Sequence, residues 1–242
     1  MSEQIIKHGR KAYKIWSAPG GGRGKKIREF IVEILIIVFA ISLSFFIERW
    51  QEKRHERKQA VELLKGLKDD LQSDIKELRS DSAGYEGKKR GVAYLLNIKE
   101  PVNIDSFRLN YGRVNQTIGL IPNISRFESL KTFGAIDAIR STKLVNDIFE
   151  LYQEKIPGLV SSTTTYNERI VMKMGEFLDN NLTYTSDLFD LKNNNLIVLL
   201  QENHFRNMLR KSGFLNEIIT RYNAAIQLTQ MLIREIDDEI AS

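Results

Sequence analysis

Three features of the sequence predict an all-α protein in which a single N-terminal transmembrane helix continues into a long stalk helix, followed by an antiparallel helical bundle. The first is residues 30–47, eighteen positions of which fourteen are Phe, Ile, Leu or Val. The second is a 4-3 spacing of apolar side chains that runs on beyond them, which is the spacing of an amphipathic helix. The third is that no segment alternates apolar and polar residues for long enough to build a sheet. The expected organisation is a flexible basic tail over residues 1–24, the transmembrane helix with its flanks over 25–50, and the stalk and soluble bundle over 51–242.

Eighteen helical residues extend roughly 27 Å, close to the ~30 Å of bilayer hydrocarbon. Fourteen strongly apolar residues contribute roughly −4 to −8 kcal/mol to insertion. Glu33, the one charge in the segment, opposes this by at most ~3 kcal/mol, and by less so near the segment's edge. Insertion is therefore favoured. Ser42 and Ser44 can bond back to helix carbonyls at little cost. Arg28 and Arg49 bracket the span and Trp50 occupies the position of an interfacial aromatic, so these three are the expected anchors. A signal peptide would end in small residues, whereas the chain reads Phe45-Phe46-Ile47-Glu48-Arg49-Trp50.

The tail ends in Ala18-Pro19-Gly20-Gly21-Gly22-Arg23-Gly24 before Lys25-Lys26, a flexible composition. A phosphate-binding loop is excluded there: Pro19 replaces its first glycine and Lys26 stands where Ser or Thr must meet magnesium. Eight Lys or Arg and two acids precede residue 30, giving +6 of the chain's +5 total and leaving −1 for the remainder. The basic excess thus sits beside the span, where anionic lipid attracts it, and a nucleic-acid partner is not indicated. Seven Lys or Arg between Arg49 and Lys68 nearly balance the flanks. The fewer acids of the first flank favour a cytoplasmic N-terminus with the body exported.

Ala60, Leu64, Leu67, Leu71 and Leu78 mark the stalk to about Ser80. Gly84, Gly87 and Gly91 are expected to loosen the next segment, with helix regained over residues 92–98 and stopping before Pro101. Residues 103–122 carry no clear pattern. Ser125-Arg126-Phe127-Glu128 fits a capping box opening a helix to Phe133, with Gly134 suited to the left-handed position after it. A helix is expected over 142–156, ended by Pro157-Gly158, and another over 164–182, followed by a turn-rich stretch to 195. The strongest periodicity in the body runs from Phe205 and Met208 through Leu215, Ile219, Tyr222, Ile226, Ile233, Ile236 and Ile240. It is a candidate helix-packing seam of coiled-coil type, serving either the stalk or a second copy.

Catalytic constellations are not assembled by this sequence. His8, His55 and His204 lie far apart, without metal-ligand spacing. There is no cysteine, and no Gly-x-Ser-x-Gly. The acid pairs Asp69/Asp70 and Asp237/Asp238 lie among lysines and arginines and read as solvated faces. No cofactor, metal or small-molecule substrate is indicated, and the protein is not expected to be an enzyme. Glu33 is the single residue whose position invites a functional reading, since an intramembrane carboxylate can bind a cation, carry a proton or pair with a partner helix.

Residues 28–58 resemble an uncharacterised family of bacterial single-pass membrane proteins built around a domain of unknown function. That family places a Glu-Ile pair near the start of an apolar span and closes it with Trp and an acid before a basic helix. The positions here are Glu33-Ile34, Trp50-Gln51-Glu52 and Lys53-Arg54. The likeness continues through Leu67-Lys68-Asp69-Asp70-Leu71, Phe127-Glu128-Ser129-Leu130-Lys131, Gly134, Lys143-Leu144 to Tyr152, and His204-Phe205-Arg206-Asn207. Val32 replaces the family's usual Gly, and Glu48-Arg49 its usual Asn-Asn. The resemblance implies an anchor and a helical body, and transfers no activity. The expected role is a membrane-anchored scaffold whose partners are the bilayer and another protein or a second copy. The alternative is a transport or sensing subunit that uses Glu33.

Overall fold

The computed structural model describes Arg10 and residues 23–242. Among them every regular element is a helix and no strand forms. Most of the predicted tail, residues 1–22 apart from Arg10, lies outside the described residues. Contacts divide the chain into Met1–Gln59 and Ala60–Ser242.

The first unit is dominated by the leading part of α1, which spans Arg23–Leu96 without interruption. Its apolar residues are exposed, Leu35 by 61% and Phe39 by 69%. Ser44 Oγ donates to the Ala40 carbonyl at 2.9 Å, so its hydroxyl is satisfied within the helix.

The second unit begins with the rest of α1. Its inward stripe is Ala60, Leu64, Leu67, Leu71, Asp74, Leu78, Asp81, Tyr85, Lys88, Val92 and Leu95, an unbroken 4-3 alternation. Eight of these side chains belong to the apolar core and are almost or wholly inaccessible, as Leu64 and Leu78 are. The helix does not loosen at its glycines, as the sequence suggested. α2 (Ile104–Asn115) lies across them. A Cβ on Gly91 would fall 2.8 Å from the Asn110 carbonyl oxygen, and one on Gly84 2.7 Å from Ile118 Cδ1. Close approach, and not helix breaking, is what Gly84 and Gly91 provide.

α2 occupies the stretch without a clear sequence pattern, and Asn103 caps it by accepting from the Ser106 N–H at 2.9 Å. α3 spans Ser125–Thr132. The predicted capping box is not formed: Ser125 already lies inside the helix, Ile124 is the N-cap, and no side chain caps it. Gly134 takes the expected left-handed conformation, φ 64°, leading into a 3₁₀ turn at Ala135–Ala138.

α4 (Thr142–Phe149), α5 (Ile156–Tyr166) and α6 (Met172–Asn181) follow one another through π-turns at Glu150–Lys155 and Asn167–Val171. Pro157 therefore does not end a helix. In α geometry its ring would clash with the Gln153 carbonyl. The turn before it is instead widened, with the Ile156 N–H donating to Leu151 five residues back. After a turn-rich loop come α7 (Leu196–Gln201), α8 (Asn203–Ser212) and α9 (Asn216–Ala241). The long C-terminal periodicity is thus carried by two helices parted at Gly213-Phe214-Leu215, because each keeps its apolar face inward across the bend.

Side-chain bonds fix the register. Lys68 pairs with Asp237 at 2.5 Å, the Tyr222 hydroxyl donates to Asp81 at 3.0 Å, and Lys89 donates to Asn216 at 2.8 Å, so α9 runs antiparallel to α1. The Tyr166 hydroxyl donates to the Ser212 carbonyl at 3.0 Å, while Lys143 pairs with Glu235, so α4–α5 also runs antiparallel to α9. One core lies between these three and includes Leu144, Ile148 and Leu232, all wholly inaccessible. A second gathers Val92, Leu95, Phe107, Leu178, Leu200 and Leu209.

Candidate functional site

In the first unit, exposure is inverted relative to a soluble helix. Glu33 is 7% exposed, while Ile31, Val32, Ile34, Leu35 and Ile36 around it are open to the surroundings by 41–61%. Water disfavours that arrangement, whereas hydrocarbon would accommodate such exposed apolar side chains. Beginning at Phe30, α1 is the one helix among the described residues long and apolar enough to cross a membrane, with a mean hydropathy of 2.8 over its best window. Arg28, Arg49 and Trp50 are all exposed at its margins, and the Arg54 guanidinium lies 5.3 Å from the centre of the Trp50 ring.

The seam residues all face inward. Leu215, Ile219, Tyr222 and Ile236 are buried, and Ile226, Ile233 and Ile240 pack against the same core. This face of α9 is covered by α1, α4 and α5 of the same chain.

A feature not anticipated from the sequence is a group of polar side chains on the inward stripe of α1. Residues 116–124 form an extended strap without helix or sheet partners, so their backbone groups need other bonds. The Asp74 carboxylate accepts from the Asn123 amide side chain and, at 3.4 Å, from its backbone N–H. Glu77 accepts from the Ile121 N–H at 3.1 Å. The Tyr85 hydroxyl and the Asn167 side-chain amide both donate to the Ile118 carbonyl at 3.0 Å. Lys88 donates to the Val114 carbonyl at 2.7 Å, in the last turn of α2. Acceptors on α1 meet strap N–H groups, and donors meet carbonyls.

Lys88 is 0% exposed. Its ammonium lies 5.7 Å from the Tyr166 ring centre, and burial lowers its pKa from 10.5 to about 8. Burial also raises Asp74 and Asp81, although the bonds from Asn123 and Tyr222 counteract it. Tyr166 is pushed up to about 12 by the same cause. Three buried oxygens have no hydrogen-bond partner among the described residues: Tyr152 Oη and Asn167 Oδ1, both on π-turns, and Glu235 Oε2 on α9. The signal for this group is present in the spacing: Asp74, Asp81 and Lys88 hold positions that a strict 4-3 count assigns to the core.

Among the described residues, no group of three or more His, Asp or Glu side chains is placed to hold a metal ion. His204 stacks at 5.3 Å on Phe177. Of the acid pairs, Asp70 is half-buried and pairs with Arg126 at 2.5 Å, and Asp237 pairs with Lys68. Comparison with protein-family models, curated proteins and solved structures found no match to this chain.

Proposed function

We propose that the protein is a single-pass, membrane-anchored helical scaffold that binds a protein partner, without catalysis of its own. The observation that carries this reading is the exposed apolar face of residues 30–47 around a shielded Glu33, which lipid tails stabilise and water does not. The polar side chains inside the body are used to hold the strap, which is a structural employment. We infer a cytoplasmic N-terminus from the charge of the leading flank, and a bacterial inner membrane from the family that residues 28–58 resemble. Membership of the uncharacterised family that residues 28–58 resemble is part of the same proposal.

Alkaline washing and ultracentrifugation of cell vesicles tests the anchor: the intact chain is expected in the pellet, and its release into the supernatant refutes the reading. A reporter fused after Ser242 and active only outside the cytoplasm tests orientation, with activity expected. Purification in mild detergent tests the scaffold, which should arrive with a stoichiometric companion protein; a bare monomer overturns it.

A second reading draws on the shielding of Glu33. A carboxylate turned away from the surroundings within an apolar segment suits a transport or sensing assembly of several spans. Substitution of Glu33 by Gln separates the two. Loss of assembly with retained insertion favours the second reading, and an unchanged assembly removes it.

A further inference from the structure

At the end of the apolar segment, six side chains on successive turns of α1 line one shallow, open concavity of about 620 Å³: Phe46, Arg49, Trp50, Glu52, Lys53 and Glu56. Its charges lie in two ridges. Arg49 and Lys53 are four residues apart on one, Glu52 and Glu56 four apart on the other, and each cation stands three residues from an acid. Like charges at that four-residue spacing repel, so each ridge gains from a counter-charge supplied from outside. Among the described residues, no ion pair joins these four charges to one another. Phe46 and Trp50, both more than half exposed, form the apolar side of the concavity.

Depth adds a second constraint. Arg49 to Lys53 lie roughly 3–9 Å along the helix beyond residue 47 and Glu56 roughly 14 Å, against a headgroup layer about 5–8 Å deep on each side. On the reading of residues 30–47 as a span, which this inference requires, Arg49 to Lys53 stand in the headgroup layer, and Glu56 leans back toward it because helical side chains tilt toward the N-terminus.

We propose that this concavity binds the headgroup of an aminophospholipid, a phosphate joined by a short bridge to a primary ammonium. Arg49 and Lys53 pair with the phosphate, and Arg in particular matches its oxygens. Glu52 and Glu56 accept from the ammonium, and the acyl chains lie along Phe46. A purely anionic headgroup gains from the first ridge but is repelled by the second. A choline headgroup carries the right charges, yet its quaternary nitrogen has no N–H to donate. The ethanolamine class satisfies both ridges.

The test uses the full chain in nanodiscs of equal parts phosphatidylethanolamine, phosphatidylcholine and phosphatidylglycerol, followed by release into detergent and native mass spectrometry of retained lipid. Phosphatidylethanolamine should be retained about fivefold over each of the others, the ~1 kcal/mol of two exposed ion pairs. Glu52→Gln with Glu56→Gln should abolish that preference while leaving total retention similar. Arg49→Gln with Lys53→Gln should lower retention of all three. Equal retention by the native chain, or an undiminished preference in the glutamine variant, overturns the proposal. A chain that never enters the nanodisc overturns the anchor reading as well, and that outcome is scored separately by incorporation.

Discussion

The ammonium of Lys88 and the carbonyl of Val114 meet at 2.7 Å inside the helical body, and among the described residues no carboxylate pairs with that ammonium. A buried cation held by one carbonyl and an aromatic face is stable enough to persist but disfavours its own charge. Folding therefore prefers neutral Lys88, whose pKa falls from 10.5 in the unfolded chain to about 8. The stability it contributes is complete above the unfolded value and is lost as pH falls through the folded one. From pH 8 to 10 the body should gain about 2 kcal/mol. Above pH 10 the buried tyrosines, all raised by desolvation, reverse the trend. Urea denaturation of the full chain in detergent measures this, and Lys88→Met should flatten the rise. A rise of equal size in that variant assigns it to other groups.

The crossing of α1 and α2 at Gly91 makes a steric prediction. Gly91→Ala gains about 1 kcal/mol of helix propensity but drives a methyl against the Asn110 carbonyl at 2.8 Å and Val114 Cγ2 at 3.0 Å. Backbone cannot step aside, so a net loss of ~1–3 kcal/mol is expected. Gly84→Ala meets only the mobile end of Ile118 and should be close to neutral. A thermal melt comparing the two variants decides the matter; equal shifts contradict the close-approach account.

These glycines also show how far the sequence is readable. Ala60, Leu64, Leu67, Leu71 and Leu78 declare α1 because apolar spacing reports a buried stripe directly. Gly84, Gly87 and Gly91 mislead because a local propensity cost looks the same whether it breaks a helix or admits a neighbour. Pro157 misleads because a π-turn, which depends on the surrounding packing, removes the clash that normally ends a helix. Lys88 escapes notice on residue type, since lysine usually faces water; its place between Tyr85 and Val92 in the 4-3 count says otherwise. The shielding of Glu33 is not legible, since residues 30–47 are apolar on every side and nothing among them says which face is covered.

Glu239, 4% exposed on α9, accepts from the backbone N–H groups of Arg140 at 2.8 Å and Ser141 at 3.1 Å, immediately before α4. Ser141 in turn caps α4 by accepting from the Leu144 N–H at 3.1 Å. The carboxylate thus anchors the start of one helix to the end of another, with its charge at the favourable pole of the helix dipole. Glu239→Ala leaves two N–H groups without that acceptor and should cost ~2–3 kcal/mol, with Glu239→Gln losing about half as much. An unchanged denaturation midpoint in the alanine variant would mean that water replaces the carboxylate.

The contrast between Glu33 and Phe39 yields the sharpest test of the first unit. Phe39 lies at the middle of residues 30–47 and is 69% exposed, whereas Glu33 is shielded. If lipid surrounds this segment, a charge at the open central position costs about 3 kcal/mol of insertion free energy. Phe39→Glu should accordingly shift a large share of the chain into the alkaline-soluble fraction. Glu33→Gln removes a charge from a shielded site near the edge and should leave that fraction unchanged. Quantitative immunoblotting of pellet and supernatant reads both variants at once. An equal response, whether both fall or neither does, means that the exposed apolar face does not contact lipid.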